Sequence, residues 1–342
     1  MNPRLKTALA LVGSFALGGG LLWLALRGVD LSSVGTALAE ARWGWALPLV
    51  LVTVASHALR AWRWQLLLGA MPGEHERVGF GNAFASLLIG YLVNQAAPRL
   101  GEVARAANLS SRSDHTFSGV FGTVVAERVL DVVSLAIALL SVVLLFGSRV
   151  GVITERFVAG TLAALEALPI SGTVLVLLLA ASGAALLALA WFAFARGGEK
   201  VRGVLMGFKD GLASLLRVRQ RLALVGSTLG IWVLYGVMTY IPLALLGLTD
   251  AYGLGFADAW ALMNLGAVGM SLPSPGGTGS YHYIAVQTLV LLLGVAQAPA
   301  AAYAILTHAS QLVLMCVLGV IALVWQGTSF RAVTRSARDA SA

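Results

Sequence analysis

The chain has 342 residues, 58% of them hydrophobic and 11% charged, with a mean hydropathy of +0.86 and a formal net charge of +8. Soluble domains carry about 25% charged residues, so this chain has too few polar groups to cover a water-facing surface, and a soluble globule is excluded. Ten-residue polar/apolar alternation is absent, which excludes a strand barrel and leaves an all-α, polytopic helical membrane protein.

Six stretches are long and apolar enough to span about 30 Å of hydrocarbon: 7–26, 45–67, 117–146, 172–195, 222–247 and 299–325. The first is longer than the roughly 7–15 apolar residues of a secretory signal. Tryptophans 23, 43, 45, 62, 64 and 325 fall at span ends, as interfacial anchors do. Cys316 is the single cysteine, so no intrachain disulfide forms.

Two further apolar stretches are interrupted. Residues 81–97 run into Pro98-Arg99-Leu100-Gly101-Glu102. Residues 256–272 run into Pro273-Ser274-Pro275-Gly276-Gly277-Thr278-Gly279, with a second apolar run at 281–295. Loop charge decides how to read them. Residues 196–221 hold seven Lys/Arg against Glu199 and Asp210, which places this loop in the cytoplasm with both termini. That parity holds if 81–116 and 256–296 are re-entrant hairpins entering from opposite sides. Eight plain spans would leave the basic loop outside.

With the hairpins, 15 of the 23 Lys/Arg are cytoplasmic, counting Arg60, Arg63 and Arg77 at the end of the second span, against four outside. One bilayer face thus accounts for the basic balance, and no nucleic-acid partner is expected. The order of span, span, hairpin, span occurs twice. It predicts a single membrane domain over 1–342 built as an inverted-topology repeat, 1–147 and 172–326. The linker 197–221 reads as a basic amphipathic helix near anionic headgroups.

Three constellations carry chemistry. The first is Asn94-x-x-x-Pro98-Arg99-x-Gly101-Glu102-x-x-Arg105. Its breakers free backbone groups that need protein or a wet cavity, and Arg99, Glu102 and Arg105 share a helix face. The two guanidiniums suit a phosphate, with Glu102 positioning one of them. Solvated loop charges are the plain alternative.

The second is Glu127-Arg128-x-x-Asp131, inside the third span. Each intramembrane charge costs at least about 2.5–3.5 kcal/mol, so the three must face a cavity or one another. Their net charge of −1 calls for a cation such as Arg99 or Arg105, or for a proton on one carboxylate. A self-neutralising structural pair is the alternative.

The third runs from Pro273 to His282, with Gly276, Gly277 and Gly279 preceding a helix start near Ser280. Free N–H groups there favour an anion. The nucleotide-binding lysine is missing, so ATP hydrolysis is not indicated. His282 is read as a packing residue or a proton relay, and His57 and His308 as packing residues. No spacing suits a metal, and neither a catalytic triad nor a dinucleotide fingerprint occurs, so no cofactor and no enzymatic activity are expected.

These three motifs, in this order and across essentially the whole chain, resemble the flippase-like family defined by the transmembrane region of lysylphosphatidylglycerol synthases. The resemblance implies translocation of a phosphate-containing lipid between leaflets. It does not imply lysine transfer, because the soluble aminoacyl-transferase domain is missing. Many members carry a glutamate shortly after the third motif; here Ser280-Tyr281-His282 stands in that region.

The expectation is a flippase of the cytoplasmic membrane, with lipids of anionic headgroup as partners. Asn94, Arg99, Glu102, Arg105, Arg128, Gly276, Gly277 and Gly279 are the candidate substrate-binding residues. Glu127, Asp131 and His282 would balance charge or couple a proton. The rivals are an exporter of a small anion and a non-transporting subunit that docks a lipid-modifying enzyme on the loop 196–221.

Overall fold

The computed structural model describes residues 3–71, 76–96, 100–166, 199–272 and 274–341. The expected span 172–195, together with Pro98 and Arg99, lies outside them. Among the described residues the chain is helical and contains no strand.

In chain order the helices are α1 (Pro3–Leu26), α2 (Leu31–Ala39), α3 (Ala46–Leu68), α4 (Phe80–Ala96), α5 (Leu100–Ser110) and α6 (Phe117–Glu166). They continue with α7 (Glu199–Arg217), α8 (Arg221–Leu245), α9 (Leu248–Tyr252), α10 (Phe256–Ser271), α11 (Ser280–Gln287), α12 (Gln297–Trp325) and α13 (Phe330–Ser341). A π turn at Thr288–Leu292 extends α11. α6 breaks at Phe146, whose backbone leaves the helical region.

Four described segments are long and apolar enough to cross a membrane: Trp43–Leu68, Phe117–Gly147, Arg221–Leu245 and Gln297–Trp325. The segment Phe15–Leu26 bends by 80° into α2 and counts as a fifth if the bent pair is one span. Apolar exposure agrees with lipid as solvent. On α6, Val132, Ile137 and Leu144 are more than 60% exposed, whereas Glu127 on the same helix is fully buried. This is the reverse of a soluble helix.

Contacts between helices fix their directions. Trp64 on α3 meets Thr123 on α6, and Arg60, one turn earlier, meets Asp131, two turns later. Arg63 approaches Thr228 on α8, while the Arg42 N–H, just before α3, donates to the Leu245 carbonyl at the end of α8. α3 is therefore antiparallel to both α6 and α8. Its C-terminus and the N-termini of α6 and α8 share one end of the bundle.

The chain leaves α3 and enters α6 at that same end, so α4 and α5 fold back on each other. Asn108 Nδ2 donates to Ser86 Oγ at 2.8 Å near the base, and the Gly101 N–H donates to Asn94 Oδ1 at 2.7 Å near the tip. A Cβ on Gly101 would strike the Gly90 carbonyl oxygen, so two glycines set how closely the arms approach.

The segment α10–α11 makes a second hairpin from the opposite end. Its base is tied where the Ala296 N–H donates to Tyr252 Oη at 3.3 Å, and its tip packs Gly269 against Ser280. At the tips, Gly276 of the second hairpin lies against Gln95 of the first.

Helix α7 packs against the start of α6, where Gly211 abuts Gly119 and Gly122 and Ser214 is buried. The side chains of the preceding linker and of α6 beyond residue 147 lie outside the described set.

Candidate functional site

An ionic cluster connects α3, α5, α6 and α8. Arg63 Nη2 donates to Glu127 Oε1 at 3.2 Å and to Asp131 Oδ1 at 2.7 Å. Arg60 Nη2 donates to Asp131 Oδ2 at 2.9 Å, and its Nη1 donates to Tyr235 Oη at 2.8 Å. Arg105 Nη2 lies 2.8 Å from Glu127 Oε2, and its guanidinium sits 5.0 Å above the Trp64 ring. Arg128 approaches Asp131 at 3.4 Å and Glu102 at 3.7 Å. Arg63 and Glu127 are fully buried.

The sequence places Glu127 and Asp131 one turn apart, so one guanidinium can bridge both. Among the described residues, four guanidiniums face three carboxylates, Glu102, Glu127 and Asp131, a surplus of one positive charge.

This arrangement revises several expectations. Arg60 and Arg63, counted as cytoplasmic loop charges, are buried within α3 and leave that count. Charged residues spaced three apart inside an apolar run were the available signal, since α6 needed cations. Arg105, named from the sequence both as a phosphate ligand and as a counter-charge to Glu127, contacts that carboxylate here. Glu102 meets Asn94 and Arg128, so the arginine it contacts is Arg128 on α6. Asn94 caps the start of α5 through the Gly101 N–H. Trp64, read as an interfacial anchor, is fully buried and donates to Thr123 Oγ1 at 2.9 Å.

Beside the cluster, where the hairpin tips meet, lies a cavity of about 460 Å³. It is walled by α3, α4, α8, α10, α11, α12 and Gly276 of the second tip. Arg60 and Asn94 reach it directly from the cluster, and Met238, Met263, Met270 and Met315 supply an adaptable apolar side. His57 and His308, read as packing residues, also line it. His57 is buried with both ring nitrogens unpartnered. A larger cavity, about 700 Å³, lies at the end of α3 between Arg77 and Arg219, away from the buried charges.

Gly277 and Gly279 do not line the central cavity. Gly279 has φ +88°, a region that favours glycine, and a Cβ there would collide with the Gly18 carbonyl of α1. Its N–H donates to His282 Nδ1 at 3.4 Å. The His282 ring lies 4.8 Å from that of His308 and 5.9 Å from that of Tyr281. Gly277, Gly279 and His282 shape the turn behind the cavity wall, which Tyr281 and His308 line. No group of three or more His, Cys, Asp or Glu suited to a metal occurs among the described residues.

Comparison with known proteins agrees with this architecture. Residues 9–319 match the model of the lysylphosphatidylglycerol synthase TM region. A curated relative, glycosyltransferase AglD of Haloferax volcanii, is 27% identical over 338 aligned residues, covering 90% of this chain and 53% of its own length. The chain therefore spans about half the length of that relative. No solved structure matches.

Proposed function

Because the chain belongs to the lysylphosphatidylglycerol synthase transmembrane-region family, we propose that this integral membrane protein is a flippase that moves a phosphate-containing lipid between leaflets. The observation that carries this reading is the cavity between the hairpin tips, bordered by Arg60 from a cluster with one surplus positive charge. A lipid phosphate entering there meets a net positive field in a low-dielectric interior, while its chains stay in the bilayer beside the methionine wall.

In this reading the hairpins are re-entrant and their tips lie near the midplane. Both termini are cytoplasmic, and rocking of one half against the other alternates exposure of the cavity. The surplus charge draws the anion in without a permanently free arginine, because each guanidinium is held by a carboxylate until the phosphate competes for it. Glu127 and Asp131 balance charge in this scheme and would accept a proton if transport is coupled.

The match covers about half of the glycosyltransferase relative, so its chemistry is not carried over to this chain. We accordingly assign no catalytic residue.

The test is reconstitution into liposomes with fluorescent phospholipids and polyprenyl phosphates. Wild type should move at least one of them well above protein-free vesicles, and Arg60→Gln and Glu127→Gln should each slow it about tenfold or more. No acceleration of any lipid, with or without a proton gradient, overturns the reading. In a Cys316→Ser background, Ser111→Cys and Asp250→Cys should label from opposite sides. Labelling from one side overturns the topology.

A further inference from the structure

The chemistry of the cavity wall selects among headgroups. Among its described lining residues there is no carboxylate, and the one permanently charged side chain, Arg60, is already engaged by Asp131 and Tyr235. The remaining polar lining carries no permanent charge and includes His57, Tyr91, Asn94, Tyr235, His308 and Gln311.

His57 is the telling member. It is only 4% exposed, and neither ring nitrogen has a hydrogen-bond partner. A buried polar group left unsatisfied costs about 1–3 kcal/mol, so such a ring facing a cavity is built for a ligand that donates to one nitrogen and accepts from the other. A hydroxyl does both. Its ring lies 4.9 Å from that of Tyr91, so an aromatic face stands beside the same nitrogens. Aromatic faces beside amide and imidazole groups match the alternating C–H and O–H surfaces of a polyol.

A cationic headgroup finds the opposite. No acid in the wall neutralises it, and Arg60 repels it at close range. Tyrosine faces alone offer about 0.5–2 kcal/mol to a cation, which the arginine offsets. The volume, about 460 Å³, falls within the range of roughly 300–1,000 Å³ found for small-molecule sites.

We propose that this cavity receives an uncharged, hydroxyl-rich headgroup, a sugar or a glycerol- or inositol-type polyol carried on the lipid phosphate, and rejects cationic aminoacyl or choline headgroups. The inference rests on the flippase reading for its route, but not for its binding chemistry.

The experiment uses the full chain in liposomes carrying one fluorescent lipid at a time: a polyprenyl-phosphate hexose, phosphatidylinositol, phosphatidylcholine or lysyl-phosphatidylglycerol. At least one of the two hydroxyl-rich lipids should move about tenfold faster than either cationic one, and which of them does identifies the carrier as prenyl or diacyl. His57→Leu and Gln311→Leu should each reduce that rate about tenfold, and agreement between them guards against misfolding of one. Movement of a cationic lipid as fast as the hydroxyl-rich ones, or wild-type rates in both variants, overturns the proposal.

If no lipid moves in any vesicle, the transport reading fails by itself, and native mass spectrometry of the detergent-solubilised protein decides the cavity. Selective retention of phosphatidylinositol or the prenyl-phosphate hexose over phosphatidylcholine, lost in His57→Leu, supports the inference. Equal retention overturns it.

Discussion

The two hairpins reach the same cavity from opposite ends of the bundle by different chemistry. The first is bound by charge: Glu102 faces Arg128, and Arg105 holds Glu127, so its second arm is pinned to α6 by ion pairs. The second belongs to a stretch, residues 259–330, that contains no Asp, Glu, Lys or Arg. Its tip is held by backbone geometry, with Gly276, Gly277 and Gly279 all at positive φ, and by a hydroxyl pair, Ser274 and Ser280, at 2.6 Å. Interrupted helices in lipid must satisfy their freed polar groups. Among the described residues, the first hairpin does so with the neutral Asn94 amide, which accepts from the Gly101 N–H, and the second with glycine turns and the Ser274–Ser280 hydroxyl pair. The first hairpin lines the cavity with Tyr91, Asn94 and Gln95, the second mostly with apolar groups such as Leu262, Met263 and Met270, and the charged residue, Arg60, comes from α3.

The sharpest way to break this contrast is to remove the carboxylate on which the first hairpin depends. Glu127→Ala leaves Arg63 and Arg105 buried without that counter-charge, and breaking such a pair costs about 3–5 kcal/mol. Thermal unfolding in detergent should show a larger drop than with any of the substitutions below. A wild-type midpoint would mean that the first hairpin is not held by charge. His282→Leu, its counterpart in the second hairpin, removes one weak hydrogen bond at 3.4 Å and uncharged ring contacts, and should cost far less.

Next come the close approaches. Gly101→Ala pushes a methyl into the Gly90 carbonyl and separates the arms of the first hairpin, whereas Gly279→Ala both strains a left-handed residue and strikes α1. Each should cost about 1–3 kcal/mol. Labelling of a cysteine placed at Gln95 should rise in the first variant, and unchanged labelling and stability would show that the arms tolerate a wider spacing.

The smallest effect is expected at the surface, where Arg42 Nη1 meets Asp250 Oδ2 at 2.6 Å with both side chains more than half exposed. Hydrogen bonding and the charge of Arg42 hold the Asp250 carboxyl below its ordinary 3.8. A folded value below the unfolded one gives stabilisation that is present above about pH 3.8 and lost as pH falls through the folded value. Asp250→Asn should therefore differ from wild type only slightly near neutrality, and not at all in strong acid. A gap that widens on acidification would contradict the pairing.

Much of the cluster was legible in the chain. The ionisable residues of α6 and the broken helices at Pro98 and Pro275 stand out against an apolar background, because hydrocarbon makes each such departure costly. Arg60 and Arg63 were harder, since three-residue spacing near a span end looks the same for loop-facing and core-facing arginines. His57 gave no signal, because a lone histidine in an apolar run has the same sequence whether it packs or faces a cavity.

The sequence by itself determined that the protein is helical and that lipid solvates it, and it marked two apolar segments as interrupted. Hydropathy, breakers and loop charge act locally and read directly along the chain. Only the tertiary structure decided that Arg60 and Arg63, not Arg105 alone, neutralise Glu127 and Asp131, and that the hairpin tips enclose a cavity with a neutral hydrogen-bonding wall. Which helix faces meet is set by packing small residues such as Gly90 against Gly101 and Gly211 against Gly119, and that complementarity exists only between segments, not within any one of them.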